Sequence, residues 1–195
     1  MRWLILTALT ALLAGCASSG PAQRYFVLDA GAASTAVAPM SREATLLVAP
    51  VSAASFYRGR ELVYSSAAGT RAVYQFSSWT EPPAQAIGSA LITRLERSGG
   101  FRSVAAIGSG SSGTLLLRVH LDEIYHDAAT PPGVARIVLS AQLNETSGRA
   151  RLDQRTFSVA VPAASYDADG AVSALRQALD QVLDELVRWV AATAR

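Results

Sequence analysis

The sequence predicts an α+β domain, in which a mixed β-sheet ends in a three-stranded antiparallel meander and two helices pack on one face of the sheet. Three observations predict this architecture. Short apolar segments rich in branched and aromatic residues recur in the first half of the chain. Alternating apolar and polar residues then fill the region from Thr114 to Pro162. Two further segments have apolar residues three and four positions apart, the spacing of a helix face.

Short strands account for most of the first half. The predicted strands are Arg24–Asp29, Thr45–Val51, Glu61–Ser65, Arg71–Phe76 and Phe101–Ile107. The third and fourth of these form a hairpin around the turn Ser66–Gly69. The segment Ala30–Arg42 is rich in Ala, Ser and Pro without periodicity, so we expect a loop there.

The first helix is predicted to begin at Thr80. Ser78 and Glu81 match a capping box, but that cap places Pro82 at a position whose N–H a helix needs. Thr80 as the N-cap instead leaves both prolines in the first turn. One face of the helix then carries Ile87, Leu91 and Leu95, and Gly99–Gly100 ends it.

The meander is predicted from three alternating segments, Leu115–Tyr125, Ala135–Asn144 and Arg151–Val161. The third segment changes phase between Leu152 and Phe157, which predicts a β-bulge near Gln154 or Arg155.

The last element is a predicted helix from Asp169 to Ala192. Its apolar stripe contains Val172, Leu175, Leu179, Val182, Leu186 and Trp189. Packing of this stripe on the sheet is the favoured interpretation. The same stripe also suits a helix that pairs with another protein, so that alternative stays open.

Composition excludes several mechanisms. All 17 basic residues are Arg, so no reaction that needs a lysine is available. They nearly balance the 15 acidic residues, and this gives no electrostatic reason to expect nucleic acid as a partner. The chain has one cysteine and therefore no intrachain disulfide.

That cysteine lies in the pattern of a bacterial lipobox. Met1-Arg2 precedes the uncharged run Trp3–Leu13, and Leu13-Ala14-Gly15 leads directly to Cys16. We expect a lipoprotein signal peptide over residues 1–15, lipid attachment at Cys16, a tether over 16–23 and a single domain over 24–195. A transmembrane anchor is disfavoured, because a membrane-spanning helix needs about 20 apolar residues. A buried free thiol is disfavoured by the polar residues that follow.

No catalytic, metal or cofactor site is expected. The glycines of Gly108–Gly113 fit G-x-G-x-x-G, but a strand follows where a dinucleotide-binding loop requires a helix. The two histidines lack zinc-ligand spacing: His120 belongs on the wet face of a strand, and His126 on a solvated strand end beside Asp127. A Ser-His-Asp hydrolase is disfavoured because the chain has no G-x-S-x-G motif.

Aromatic residues concentrate between positions 56 and 79. Six of them fall in this stretch: Phe56, Tyr57, Tyr64, Tyr74, Phe76 and Trp79. Core packing is the favoured interpretation for the set. A turn and a helix start are less typical core positions, so a partner surface remains the alternative there. Tyr57, Arg60 and Trp79 are the predicted contact residues.

Taken in order, several motifs resemble one protein family. They are the lipobox, Tyr25-Phe26-Val27-Leu28, the strand Arg60-Glu61-Leu62-Val63-Tyr64, the helix start Trp79-Thr80-Glu81-Pro82 and the final Leu186-Val187-Arg188-Trp189-Val190. The set looks like the ABC-type transport auxiliary lipoproteins, the PqiC-like proteins, over nearly the whole mature chain. Pro83 departs from the family pattern, which usually has Leu there.

The resemblance implies a non-enzymatic periplasmic component that works beside an MCE-domain protein, an ABC permease and its ATPase. Such systems are associated with moving lipids or other hydrophobic molecules between the two membranes. Ala17 replaces the Asp that usually signals inner-membrane retention, so the resemblance implies anchoring in the outer membrane. A structural envelope-assembly lipoprotein and an anchored hydrolase remain alternatives, and homo-oligomerisation remains open.

Overall fold

The computed structural model describes residues 21–31, 44–148 and 151–194. Within them lie nine strands, one short 3-10 turn and two helices. The strands are β1 Arg24–Phe26, β2 Thr45–Val48, β3 Ser52–Ala53, β4 Glu61–Ser65, β5 Ala72–Trp79, β6 Ser103–Ala106, β7 Leu115–Asp127, β8 Val134–Glu145 and β9 Arg151–Pro162. The 3-10 turn is Ser55–Tyr57, and the helices are α1 Pro83–Arg97 and α2 Ala168–Thr193.

Strand β7 organises the sheet because both of its edges are paired. On one edge it pairs with β8, and β9 pairs with the far side of β8, both antiparallel. This is the predicted meander. Apolar residues of β8 at alternate positions are fully buried, namely Ala135, Ile137, Leu139, Ala141 and Leu143.

The other edge of β7 is covered by three short strands in succession. Strands β2, β3 and β4 all run parallel to β7 and meet its beginning, middle and end, at Leu115–Leu117, His120–Leu121 and His126–Asp127. Strand β5 continues the sheet antiparallel to β4, and β1 and β6 add to β5 and β2 in parallel. The sheet is therefore mixed, and the predicted α+β class is confirmed.

Helix α2 packs on the meander. Every residue of the predicted stripe is buried, and the four central ones, Leu175, Leu179, Val182 and Leu186, have no exposed surface. The buried face is wider than the stripe, because Ala171, Ala178 and Leu183 are also fully buried. Trp189 closes the far end, where its ring meets Phe157 edge-on at 5.7 Å. Burial of this extent identifies α2 as a core helix of the domain.

Helix α1 is attached to α2 by a buried arginine. Arg94 is 5% exposed. Its guanidinium donates to the Asp180 carboxylate at 2.6 Å, the Asp184 carboxylate at 2.7 Å and the Gly31 carbonyl at 3.1 Å. The apolar face of α1 points into the core, where Ile87, Leu91 and Leu95 are buried as predicted. Because a buried cation needs partners at each donor, this cluster fixes how the two helices meet.

The start of α1 differs from the prediction. Strand β5 continues as far as Trp79, and Pro82 is the N-cap, without a side-chain cap bond. Thr80 does not cap the helix, because the helix begins after Pro82. The backbone N–H of Thr80 instead donates to the Phe26 carbonyl at 2.8 Å and extends the contact with β1. Pro83 at the first helical position is favourable, since its missing N–H would have no helical partner there. Gly99 follows the helix with φ of +67°, as expected for a helix end.

Three strands are shorter than predicted, and the β9 bulge lies elsewhere. Strand β1 ends at Phe26, β2 ends at Val48, and β6 runs only from Ser103 to Ala106. Strand β3, Ser52–Ala53, follows the predicted second strand and was not predicted. The register of β9 shifts at Leu152, which lies between the partners of Leu143 and Asn144. Prediction had placed this bulge near Gln154 or Arg155.

A second bulge, in β7, was not predicted and has a larger effect. Leu121 pairs with Leu139, whereas Glu123 pairs with Val138, so Asp122 is the extra residue. An extra residue exchanges the two faces of the strand that follows it. Consequently Ile124 and His126 turn inward, although their alternation with Leu121 would place them outside.

Most of the predicted loop at residues 30–42 lies outside the described residues, as do the predicted signal peptide and Cys16. Among the helices that the structure describes, none is both long and apolar enough to cross a membrane.

Substitution of Gly133 tests how closely the loop after β7 packs against the end of that strand. Its φ is +94°, and a Cβ there would meet the His126 imidazole and the Asp127 carbonyl. We expect Gly133→Ala to destabilise the domain more than the matched variant Gly69→Ala, whose φ is +74° with open space around it. The conformational cost common to both is about 1 kcal/mol. Denaturant unfolding measures the difference, and equal losses would show that contact with His126 is unimportant.

Candidate functional site

The predicted aromatic turn is held against β7. The backbone N–H of Ala54 donates to the Leu121 carbonyl at 2.9 Å, and Tyr57 closes the 3-10 turn with a bond to the Ala54 carbonyl at 2.8 Å. The turn separates its two aromatic rings, since Phe56 is 48% exposed and Tyr57 is 7% exposed. Only Phe56 therefore offers its ring to a partner.

Tyr57 belongs to a cluster that joins the turn to the sheet. The Nε of Arg71 donates to its hydroxyl at 2.8 Å, and the same guanidinium pairs with the Glu123 carboxylate at 3.0 Å. The guanidinium also lies 3.7 Å from the centre of the Tyr125 ring, a cation–π contact. Burial raises the pKa of Tyr57, and the hydrogen bond from Arg71 partly opposes the rise. These contacts stabilise the turn, and the Tyr57 hydroxyl is already used by its hydrogen bond with Arg71.

Trp79 lies in the core. Its side chain is 1% exposed. Its backbone N–H donates to the Arg60 carbonyl at 2.7 Å, and it is aligned with Phe26 of β1. From its position in the core, Trp79 thus joins the end of β5 to β1 and to the residue before β4.

Arg60 is the exposed member of the three predicted contact residues. A recess of about 510 Å³ opens beside it, lined by Tyr25, Gly59, Arg60, Glu61, Ser78 and Pro82. Tyr25 is 59% exposed. Tyr25 and Arg60, which line this recess, are called the Arg60 surface below, together with Phe56, which precedes Arg60 by four residues in the chain. The sequence predicts Tyr25 as part of a strand and assigns it no role, because nothing in its local pattern distinguishes it from its neighbours.

His126 was expected in solvent and this expectation is wrong. It has no exposed surface, because the Asp122 bulge turns it inward. One ring nitrogen, Nε2, lies 3.0 Å from the Pro132 carbonyl, and Nδ1 lies 2.8 Å from the Tyr74 hydroxyl. A carbonyl only accepts, so Nε2 carries the proton and Nδ1 accepts from Tyr74 in the neutral ring. Both nitrogens are therefore committed to structural hydrogen bonds.

His120 remains on the outer face as predicted, with Nδ1 2.8 Å from the Ser52 hydroxyl.

Within the described residues, no group of three or more His, Cys, Asp and Glu side chains is arranged to hold a metal ion. The loop Gly108–Gly113 leads into strand β7, and so lacks the helix that a dinucleotide-binding loop requires.

The comparison with known families decides the assignment. The family model for ABC-type transport auxiliary lipoprotein components matches residues 26–187. The chain belongs to this family. The match confirms the resemblance seen in the sequence and identifies the domain as the auxiliary lipoprotein component of an ABC-type transport system.

Solved structures share the fold of this auxiliary component. Protein XCC0632 from Xanthomonas campestris has a TM-score of 0.79 and 28% identity, over 88% of this chain and 96% of that protein. Protein CT253 from Chlamydia trachomatis has a TM-score of 0.54 and 8% identity, over 78% of this chain and 98% of the other. The second likeness shows the fold alone. The search of the curated proteins found no match.

Tyr74 gives the auxiliary domain a predicted pH dependence. Burial raises its pKa from 10.0 to about 12, and the Asp167 carboxylate adds to the rise. The folded chain therefore holds this proton more tightly than the unfolded chain does. The stability from this group is present below pH 10 and falls as pH rises through about 12. We expect Tyr74→Phe to lose less stability over that interval than the wild type does.

The measurement is the free energy of unfolding in denaturant at increasing alkaline pH. Tyr25→Phe, at an exposed position, is the matched control and should follow the wild type. Identical pH profiles for the wild type and Tyr74→Phe would contradict the prediction.

Proposed function

We propose that this protein is a lipid-anchored periplasmic accessory component of an MCE/ABC-type envelope transport system, which moves lipids or other hydrophobic molecules between the membranes. The observation that carries the proposal is the family match over residues 26–187. In this role the protein is not an enzyme. The hydrogen bonds of His126 support that role, since they use both nitrogens of a buried histidine for packing.

The partner surface in this proposal is the Arg60 surface. Two exposed aromatic rings and a guanidinium at its edge are the residue types that dominate binding energy in protein interfaces. The backbone beneath is rigid, because the Arg60 carbonyl is bonded to Trp79 and the turn of Phe56 is bonded to β7. Tyr57 and Trp79 take part by supporting this surface from within, and an MCE-domain protein is the proposed occupant.

The anchor in this proposal is Cys16, with acyl chains in the outer membrane and the domain facing the periplasm. The lipobox and the family's lipoprotein character support lipid attachment. Two or more acyl chains give stable anchoring, since each buried CH₂ contributes about 0.8 kcal/mol. Ala17 supports sorting to the outer membrane, because it lacks the charge of the usual retention residue.

The overall test is isolation of the protein from solubilised membranes, followed by mass spectrometry of the proteins and lipids that accompany it. Recovery of an MCE-domain protein with its permease and ATPase is the expected result. Repeated isolation without any component of a transport system would contradict the proposal.

Arg60→Glu tests the docking surface directly. Because it reverses an exposed charge, we expect several-fold weaker co-purification of the MCE-domain partner and an unchanged melting temperature. Arg118→Glu is the matched control, since Arg118 is an exposed arginine of β7. Trp79→Ala is unsuitable for this purpose, because truncating a buried tryptophan costs about 3–5 kcal/mol. Equal recovery with both charge reversals would exclude the Arg60 surface.

Cys16→Ser and Ala17→Asp test the anchor and its sorting. Without the thiol we expect a folded protein that is released from membranes and fails to support transport. With Asp at position 17 we expect a lipidated protein that is retained in the inner membrane. Membrane fractionation and intact mass distinguish the two. Normal complementation by a Cys16→Ser chain that carries no lipid would show that anchoring is dispensable.

A further inference from the structure

One end of the domain collects three loops and the start of the described chain. The loops are Ser66–Thr70, Ala128–Gly133 and Ala163–Tyr166. They lie together because β4 ends beside the end of β7 and because Val134 pairs with Pro162. The Arg24 guanidinium lies 2.6 Å from the Asp169 carboxylate in the first turn of α2, and the Gln23 side chain donates to the Ser78 hydroxyl at 3.0 Å. The described chain therefore begins between this end and the Arg60 recess. The end that carries the three loops is called the tether-side end.

The loops of the tether-side end are uncharged where they meet solvent. The three loops consist of Ala, Gly, Pro, Ser, Thr and Tyr, without a charged residue. Two large apolar side chains stand out there: Tyr166 is 54% exposed and Val73 is 44% exposed. They line one recess together with Ser66 and Ala128 of the loops. The loop at the opposite end, Gly108–Gly113, contains only Gly and Ser.

The acidic residues around this end are engaged within the chain. Asp167 caps α2 by accepting from the Gly170 N–H at 2.8 Å, and this hydrogen bond lowers its pKa. Asp169 pairs with Arg24. Asp127 pairs with Arg136 at 3.1 Å. Their negative charges are therefore partly neutralised, which reduces the cost of approaching a low-dielectric surface.

The tether is short compared with the domain. Five residue steps join Cys16 to Pro21, which is about 17 Å when fully extended. Strand β8 has 12 residues, and at about 3.3 Å per residue it spans about 40 Å. An anchor at Cys16 thus keeps the tether-side end near the bilayer and the Gly/Ser loop away from it.

We propose that the tether-side end rests on the lipid surface, with Val73 and Tyr166 in the headgroup region. This inference rests on lipid attachment at Cys16, as set out under Proposed function. Aromatic rings with an apolar body and a polar edge favour the membrane interface. Because the loops carry no basic residue, contact depends on apolar area, and neither anionic lipid nor salt changes it strongly.

The test uses the full lipidated chain in nanodiscs of phosphatidylethanolamine and phosphatidylglycerol. Since Cys16 is the chain's only cysteine and its thiol carries the lipid, an added cysteine accepts a fluorophore selectively. Thr130→Cys labels the tether-side end and Ser111→Cys labels the opposite end, both at exposed positions. Nitroxide-labelled lipids then report contact by quenching. We expect several-fold stronger quenching at position 130, independent of the phosphatidylglycerol fraction.

A longer tether separates surface contact from simple proximity. With a flexible Gly/Ser insertion between Gly20 and Pro21, quenching at position 130 should persist. Adding Val73→Ser and Tyr166→Ser should then abolish it. The matched control is Ile107→Ser, which removes a 47% exposed apolar side chain next to the Gly/Ser loop and should have no effect.

Each contrary outcome overturns a defined step. Equal quenching at positions 111 and 130 in a chain of lipidated mass overturns the orientation and leaves the anchor intact. Loss of quenching on tether extension alone overturns contact between the apolar surface and lipid. An intact mass without lipid on Cys16 overturns the anchor of the proposed function, and this inference with it.

Discussion

Pairing along both edges of β7 is the constraint on which the other parts of the domain depend. The 13 residues of β7 hold the meander on one edge and three consecutive short strands on the other. Strands of two to five residues gain little from their own ladders, and their positions are set by the long strand beside them. Close approach is also required at its start, where a Cβ on Gly113 would lie 2.7 Å from the Thr45 carbonyl. The position of the Arg60 surface therefore depends on the pairing of these short strands with β7.

Buried polar groups set how the remaining elements meet the sheet. Arg94 joins α1 to α2, the Arg71 cluster joins the 3-10 turn to β7, and His126 joins β5 to the loop after β7. Each of these contacts is directional, and a polar group buried without its partner costs about 1–3 kcal/mol. They therefore select one arrangement among those that apolar packing alone would permit. A rigid arrangement of this kind suits an accessory component that presents a surface.

The tether-side end and the Arg60 surface have different characters, as the two proposed contacts, one with lipid and one with a protein partner, require. The tether-side end is apolar and uncharged in its loops, whereas the Arg60 surface combines aromatic rings with a cation. The hairpin of β4 and β5 connects them, because its turn lies at one end and its open side lies beside Arg60.

The sequence by itself determined the α+β class, the three meander strands, the stripe of α2 and the family, because each rests on local periodicity or on contiguous motifs. Only the tertiary structure decided where β1, β2 and β3 pair, since a short apolar strand carries no mark of its neighbour. Burial of Tyr57 and Trp79 was likewise decided by long-range contacts. The inward turn of His126 depends on the bulge at Asp122, because one extra residue exchanges the faces of a strand. The apolar Ile124, out of step with Leu121, was the only local sign of it.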